Sequence, residues 1–309
     1  MQNVSGKTAF ITGGASGMGL GMAKAFAEAS MKVVIADVRE QALADAMKAF
    51  ENTNLAVQPV RLDVTDREGW KDAADEAERL FGNVHVLALN AGVGVVGPMQ
   101  AATYKDWDFN LSVNVGGLVN GLVTMLPRML THGEEGHVVA TSSTGGFSAV
   151  GGAGLYCTAK FAVAGMMESL ATDLRGTRIG ASVFFPGPVQ TNLGFTTNEV
   201  RPAHLKNETV AANVPGQRDA RPMPGFDPSV FMTKEEVGRR VLRGIERGDL
   251  FIMTHPEFRD GIVARNEALL RAIPDEPPNE KRAALVKQFG TLMYNPIYDT
   301  QKNVPAEDI

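Results

Sequence analysis

The chain has 309 residues, 44% hydrophobic and 21% charged, enough apolar material for one large α/β domain or two small ones. A formal charge of −5 with no basic run excludes a nucleic-acid footprint, and a single cysteine, Cys157, excludes an intrachain disulfide and suits a reducing compartment. The opening MQNVSGKTAFITGG has no basic leader, and no stretch approaches the ~18 apolar residues of a membrane span, so a cytoplasmic location is expected.

Apolar, β-branched runs alternate with segments of helical spacing. Strands are predicted over 8–12, 32–37, 56–63, 84–90, 136–143, 180–187 and 249–253. Helices are predicted over 17–29, 39–50, 66–81, 104–130, 156–174 and 234–247. Strands apolar on both sides and separated by helices make a parallel sheet covered on both faces. The expected fold is therefore α/β and doubly wound, with seven parallel strands and ligands beyond their carboxyl ends. Residues 192–232 carry several prolines and no clear period, which predicts a long functional loop within a catalytic domain of residues 1–255. Residues 256–309 add two helical patterns, 257–272 and 279–289, and a polar tail, read as an extension packed on the domain or on a neighbouring subunit.

The turn after the first strand reads T-G-x-x-x-G-x-G, with Thr12, Gly13, Ser16, Gly17, Met18 and Gly19. Glycines there allow φ > 0 and let backbone N–H groups approach a pyrophosphate at a helix N-terminus. Asp37 ends the second strand, where a carboxylate accepts ribose hydroxyls and repels a 2′-phosphate, so NAD is expected over NADP. Arg39 lies two residues on, within reach of a phosphate. Asp63 and Val64 end the third strand, where they would flank an adenine. Asn90, Ala91 and Gly92 end the fourth, where small residues let the chain pass close to a cofactor.

Within SSTGGFSAVGGAGLYCTAK, Tyr156 and Lys160 share a helix face at i, i+4, with Ser143 arriving from a strand end. A free tyrosine, pKa ≈ 10, is a poor base, but an ammonium ~4 Å away at an effective dielectric near 20 is worth ~4 kcal/mol, about three pKa units. Tyr156 is thus expected to be pulled toward neutrality as general base or acid, with Ser143 hydrogen-bonding the substrate oxygen. The five histidines are scattered, and no metal site is expected. Val150, Leu193, Phe195 and the run 92–99 suggest an apolar pocket, while Trp107 and Phe147 are assigned to the core.

The ordered set TGGASGMG, Asp63, NAG, Asn114 in SVNVGG, Ser143, YCTAK and PGPVQT strongly resembles the short-chain dehydrogenase/reductase family over residues 7–253, with Ser143 thirteen residues before Tyr156. The resemblance implies a Rossmann-type fold in which Asn114 anchors a water relaying protons to Lys160, and Lys160 also holds the nicotinamide ribose. Pro186, Gly187, Val189 and Thr191 would line the nicotinamide end, with Thr191 at the carboxamide. The family's dimers and tetramers, which pack the helices holding Asn114 and Tyr156, imply a homo-oligomer. More narrowly, ITGGASGMG, ADVRE, GLVNGLVTMLPRM and the extended C-terminus look like bacterial Cα-dehydrogenases that oxidise benzylic alcohols of lignin-derived aryl ethers. The expected activity is NAD-dependent interconversion of a secondary alcohol and a ketone, on an aromatic or other apolar small molecule. A carbonyl reductase, a hydroxysteroid-type dehydrogenase and a non-catalytic NAD-sensing protein remain open as alternatives.

Overall fold

The computed structural model describes residues 1–207, 227–289 and 295–305. Seven strands, β1 (Thr8–Thr12), β2 (Lys32–Asp37), β3 (Val57–Arg61), β4 (Val84–Leu89), β5 (Gly136–Thr141), β6 (Ile179–Phe185) and β7 (Phe251–Met253), form one parallel sheet. Their order is β3-β2-β1-β4-β5-β6-β7, so the winding reverses between β1 and β4 and opens a crevice at their carboxyl ends. Alternate residues feed two cores, Ile11 and Ile35 on one face, Phe10 and Val34 on the other. Burial on both sides is why these strands read as continuous apolar runs.

Helices α1 (Gly17–Glu28), α2 (Glu40–Met47) and α3 (Arg67–Phe81) connect the first four strands. Helices α4 (Tyr104–Leu111) and α5 (Gly117–His132) form one rod broken by a π turn, Ser112–Gly116. This corrects the uninterrupted helix predicted there: apolar spacing runs through the turn, so periodicity cannot reveal it. By length and composition the rod also reaches the size of a membrane span, against expectation. Its Leu118, Met125 and Met129 lie in the core beside Trp70, as in a core helix.

Helix α6 (Gly154–Asp173) starts two residues before Tyr156. The predicted loop 192–232 contains helix α7 (Leu193–Glu199) and a short turn, Ala203–Leu205; residues 208–226 lie outside the described residues. Helix α8 (Lys234–Arg247) crosses α1 at Gly21 and Gly238. A Cβ on Gly21 would stand 1.9 Å from Lys234 O, and one on Gly238 2.1 Å from Gly21 O, so only glycine lets the backbones touch.

The extension supplies α9 (Arg259–Arg271) and α10 (Glu280–Phe289), neither with a buried residue. Beyond them Ile297 is buried, Tyr298 donates to Glu168 at 2.6 Å, and Gln301 accepts from Phe251 N at 2.8 Å, tying the tail to α6 and to the edge strand β7.

His137 on β5 is buried with nothing bonded to Nδ1. Ser182 donates its hydroxyl to Asp249 O, so His137 Nε2 carries the proton and donates to Ser182 Oγ at 2.6 Å. Burial pushes the imidazole down to about 3. The unfolded chain binds this proton below pH ~6.5 and the folded chain does not, so stability falls as pH drops from ~6.5 toward 3. Chemical denaturation at pH 7.5 and 5 is expected to cost the parent chain about 2 kcal/mol more than His137→Leu.

Candidate active site

The crevice at the switch point is a cavity of about 590 Å³. Gly13, Ser16, Gly17, Met18, Asp37, Arg39, Asp63, Val64, Asn90, Ala91, Gly92, Tyr156, Lys160 and Thr191 line it. Gly17, at φ +50°, opens α1, and it and Met18 in the helix's first turn line the cavity.

Four expected lining residues do not form its wall. Gly19 packs inside the turn, where a Cβ would lie 2.1 Å from Gly13 O. Pro186 O accepts from Thr144 N, Gly187 N donates to Thr254 Oγ1 at 3.3 Å, and Val189 bridges to Met232. These three hold the loop that presents Thr191; Thr191 alone of the four loop residues reaches the cavity.

Asn90 ties three strand ends together: its N–H and that of Ala91 donate to Thr12 Oγ1 at 2.9 and 3.0 Å, its Nδ2 donates to Thr12 O, and its Oδ1 accepts from Thr141 Oγ1. Asp63 closes its own turn, accepting from the N–H and hydroxyl of Thr65 at 2.9 and 2.8 Å.

Asp37 does not stand alone. Arg39 donates Nε to Asp37 Oδ1 and Nη2 to Oδ2, both at 3.0 Å, and Nη2 also reaches Ser16 Oγ at 2.9 Å. Glu199 on α7 faces Nη1 at 3.5 Å. The guanidinium is therefore matched by two carboxylates and is not a free phosphate ligand. Among the described residues Asp37 Oδ2 accepts one bond, which leaves it a lone pair for a ribose hydroxyl.

Leu193, expected at a pocket, lines the cavity roof, but sequence reasoning missed its neighbours Thr196, Val200, Pro202, His204 and Leu205, and Asp108, Phe109, Ser112 and Val113 beneath them. The roof is pinned where Thr197 Oγ1 accepts from Gly94 N at 2.8 Å, and where Arg201 pairs with Asp106 at 2.7 Å and stacks over Phe109. A helical Leu193-x-x-Thr196-Thr197 face hides between Asn192 and Pro202, too short to give a period.

Tyr156 and Lys160 line the other end of the cavity, with Ser143 beside the phenol but outside the wall. Ser143 is buried and its Oγ accepts from Gly145 N at 3.1 Å. Lys160 Nζ donates to Thr141 O at 2.9 Å and lies 5.5 Å from the Tyr156 ring centroid. Burial raises the Tyr156 phenol above its ordinary value, with the nearby Ser143 hydroxyl opposing it, and burial lowers Lys160 to about 8. This corrects the expected depression of Tyr156 by Lys160. The ammonium sits over the ring face and spends a hydrogen bond on Thr141, so desolvation of both groups outweighs their attraction. Asn114 lies in the π turn, buried, accepting from Val93 N at 3.1 Å and donating to Val93 O and Asn110 Oδ1, both at 2.9 Å.

Residues 7–201 match the model of the short chain dehydrogenase family, and the chain belongs to that family: an oxidoreductase acting on CH–OH groups. It is 36% identical over 280 residues to the C alpha-dehydrogenase of Sphingobium sp. (strain NBRC 103272 / SYK-6), covering 88% of both chains. Among solved structures, a short chain dehydrogenase/reductase from Burkholderia phymatum in complex with NAD superposes with a TM-score of 0.82 at 34% identity, covering 90% of this chain and 100% of that one. The apo form of LigO from Sphingobium sp. strain SYK-6 gives 0.74 at 38% identity, covering 96% and 100%.

Proposed function

We propose that the chain is an NAD-dependent dehydrogenase interconverting a secondary alcohol and a ketone, on aromatic substrates of the benzylic, lignin-derived kind. The observation that carries this is that Tyr156 and Lys160 line one end of a cavity whose other end holds Asp37 and the α1 N-terminus, with Ser143 beside the phenol. The residues present fit a nicotinamide dinucleotide: donors for a pyrophosphate at Gly17, a carboxylate lone pair at Asp37, and a buried cation at Lys160. The bound coenzyme would supply the hydride acceptor.

The chain does the rest. Ser143 holds the substrate hydroxyl against the phenol, and Tyr156 exchanges its proton. Lys160 holds ribose hydroxyls and lends positive charge to the phenolate. Both amide hydrogens of Asn114 are already donated within the protein, so a relay water here would bond to a backbone carbonyl of the π turn instead. The paired Arg39, with Asp37 and Glu199 leaving one net negative charge around it, favours NAD over NADP. Val96, Met99, Val150 and Phe195, all more than half exposed, come from segments that also supply the lining residues Val93, Tyr156 and Leu193, and Gly97 N bonds Gly152 O to join two of them. Exposed apolar side chains on segments that line a cavity suit an aromatic substrate. A cytoplasmic homodimer or homotetramer belongs to the same proposal, with Val119, Val123 and Leu130 exposed along α5.

The test measures NADH or NADPH absorbance over benzylic alcohols, steroids and sugars. Turnover of benzylic alcohols is expected, with kcat/KM at least ~10-fold higher for NAD, about 1.4 kcal/mol. Silence toward every alcohol and ketone, in both directions and with both coenzymes, would refute it.

A further inference from the structure

Helix α4 carries a second amide, Asn110, which none of the chemistry above uses. It has no exposed surface, in a segment packed against Val93, Val95, Phe109 and Leu155, where an apolar side chain would serve packing as well. A polar group is costly there unless every bond is made.

The bonds are made, and their direction is forced from the backbone at both ends. Val93 N–H can only donate and Val93 C=O only accept, which fixes Asn114 with Oδ1 toward the first and Nδ2 toward the second. The remaining hydrogen of Asn114 Nδ2 then points to Asn110 Oδ1 at 2.9 Å. Asn110 Nδ2 in turn donates to Leu155 O at 2.8 Å. Leu155 C=O belongs to the peptide group that Tyr156 N completes, in the first turn of α6. One unbranched line of hydrogen bonds thus runs from the loop after β4, through the π turn, to the peptide from which the Tyr156 side chain springs. Gly92, next to Val93, is held equally close: a Cβ there would lie 2.8 Å from Asn114 Oδ1 and 3.5 Å from Lys160 Nζ.

We infer that Asn110 is a positioning residue for Tyr156, fixing the backbone beneath the phenol relative to the π turn and the loop that carries Asn90 to Gly92. The inference rests on the reading of Tyr156 as the group that exchanges the proton. Asn110 touches neither phenol nor substrate and acts only through the Leu155 carbonyl. The phenol is faced by Ser143, by Lys160 over its ring, and by Cys157. A shift of the α6 first turn changes its distance to the first two.

The test uses Asn110→Leu, of similar volume but with neither bond. Its primary readout is the 295-nm titration of the Tyr156 phenol, taken as the difference between each protein and its Tyr156→Phe counterpart. With the phenol displaced from the Ser143 hydroxyl, the midpoint is expected to rise by about 0.5 unit or more. kcat is expected to fall about 10-fold with the KM for alcohol and coenzyme within about twofold. An unchanged midpoint in the folded variant overturns the inference, whatever happens to turnover. Should Asn110→Leu not fold, Asn110→Ser takes the same titration. If the parent chain turns over no alcohol, the proposed function fails while the titration still judges Asn110.

Discussion

Replacing Tyr156 by phenylalanine is expected to lower kcat for alcohol oxidation by ~10²–10⁴-fold, the usual contribution of a positioned acid–base group. The ring is half-buried and its packing survives the change, so coenzyme affinity measured by fluorescence quenching should move by less than about twofold. Because burial holds the phenol above its ordinary value, the parent kcat should still be rising with pH at the alkaline end of the accessible range unless bound coenzyme brings it down. Rates within threefold of the parent for Tyr156→Phe, with an alcohol that the parent oxidises, would remove Tyr156 from the mechanism.

Lys160→Met is expected to abolish turnover and yet stabilise the chain at neutral pH. Both effects come from one cation kept out of water. Lys160 is held at about 8 against 10.5 for the free side chain, a difference worth ~3 kcal/mol. The sign follows from proton binding. Between pH 8 and 10.5 the unfolded chain carries the proton and the folded chain does not, so parent stability rises with pH there; below 8 the whole cost is present. Loss of the donor to Thr141 O gives back about 1 kcal/mol, leaving a net gain of about 2 kcal/mol. Calorimetry should find the variant melting a few degrees higher at pH 7 and the advantage fading as pH rises from 8. A variant less stable than the parent at pH 7 would show that burial of Lys160 is not a cost.

The sheet was legible because both faces of every central strand are buried, so β1, β2 and β4 appear as unbroken apolar runs. The glycine turn and the Tyr156–Lys160 pair were legible because their geometry is local, a turn and an i, i+4 spacing. What stayed hidden depends on distant partners. Asp37 in sequence is a lone carboxylate; in space Arg39 grips it and Glu199 comes from 160 residues beyond Arg39. The ammonium four residues from Tyr156 suggested an acidified phenol, but sequence spacing does not report water, and burial reversed the sign. The π turn left the apolar repeat intact and so left no trace. The cavity roof was obscured by the prolines around it, which marked a loop where Leu193–Glu199 makes two turns of helix.

The contact between Gly21 and Gly238 bears on how such a chain can change. Everything between β6 and α8 departs from one fixed post and returns to another, because α8 is keyed into α1 at backbone distance and further tied by Lys24 to Glu235. Residues strung between those posts can be lengthened, shortened or exchanged without shifting the helix whose first turn faces the crevice. New substrates can therefore be sampled by drift in that segment so long as Thr191 and Glu199, its residues on the coenzyme side, are kept.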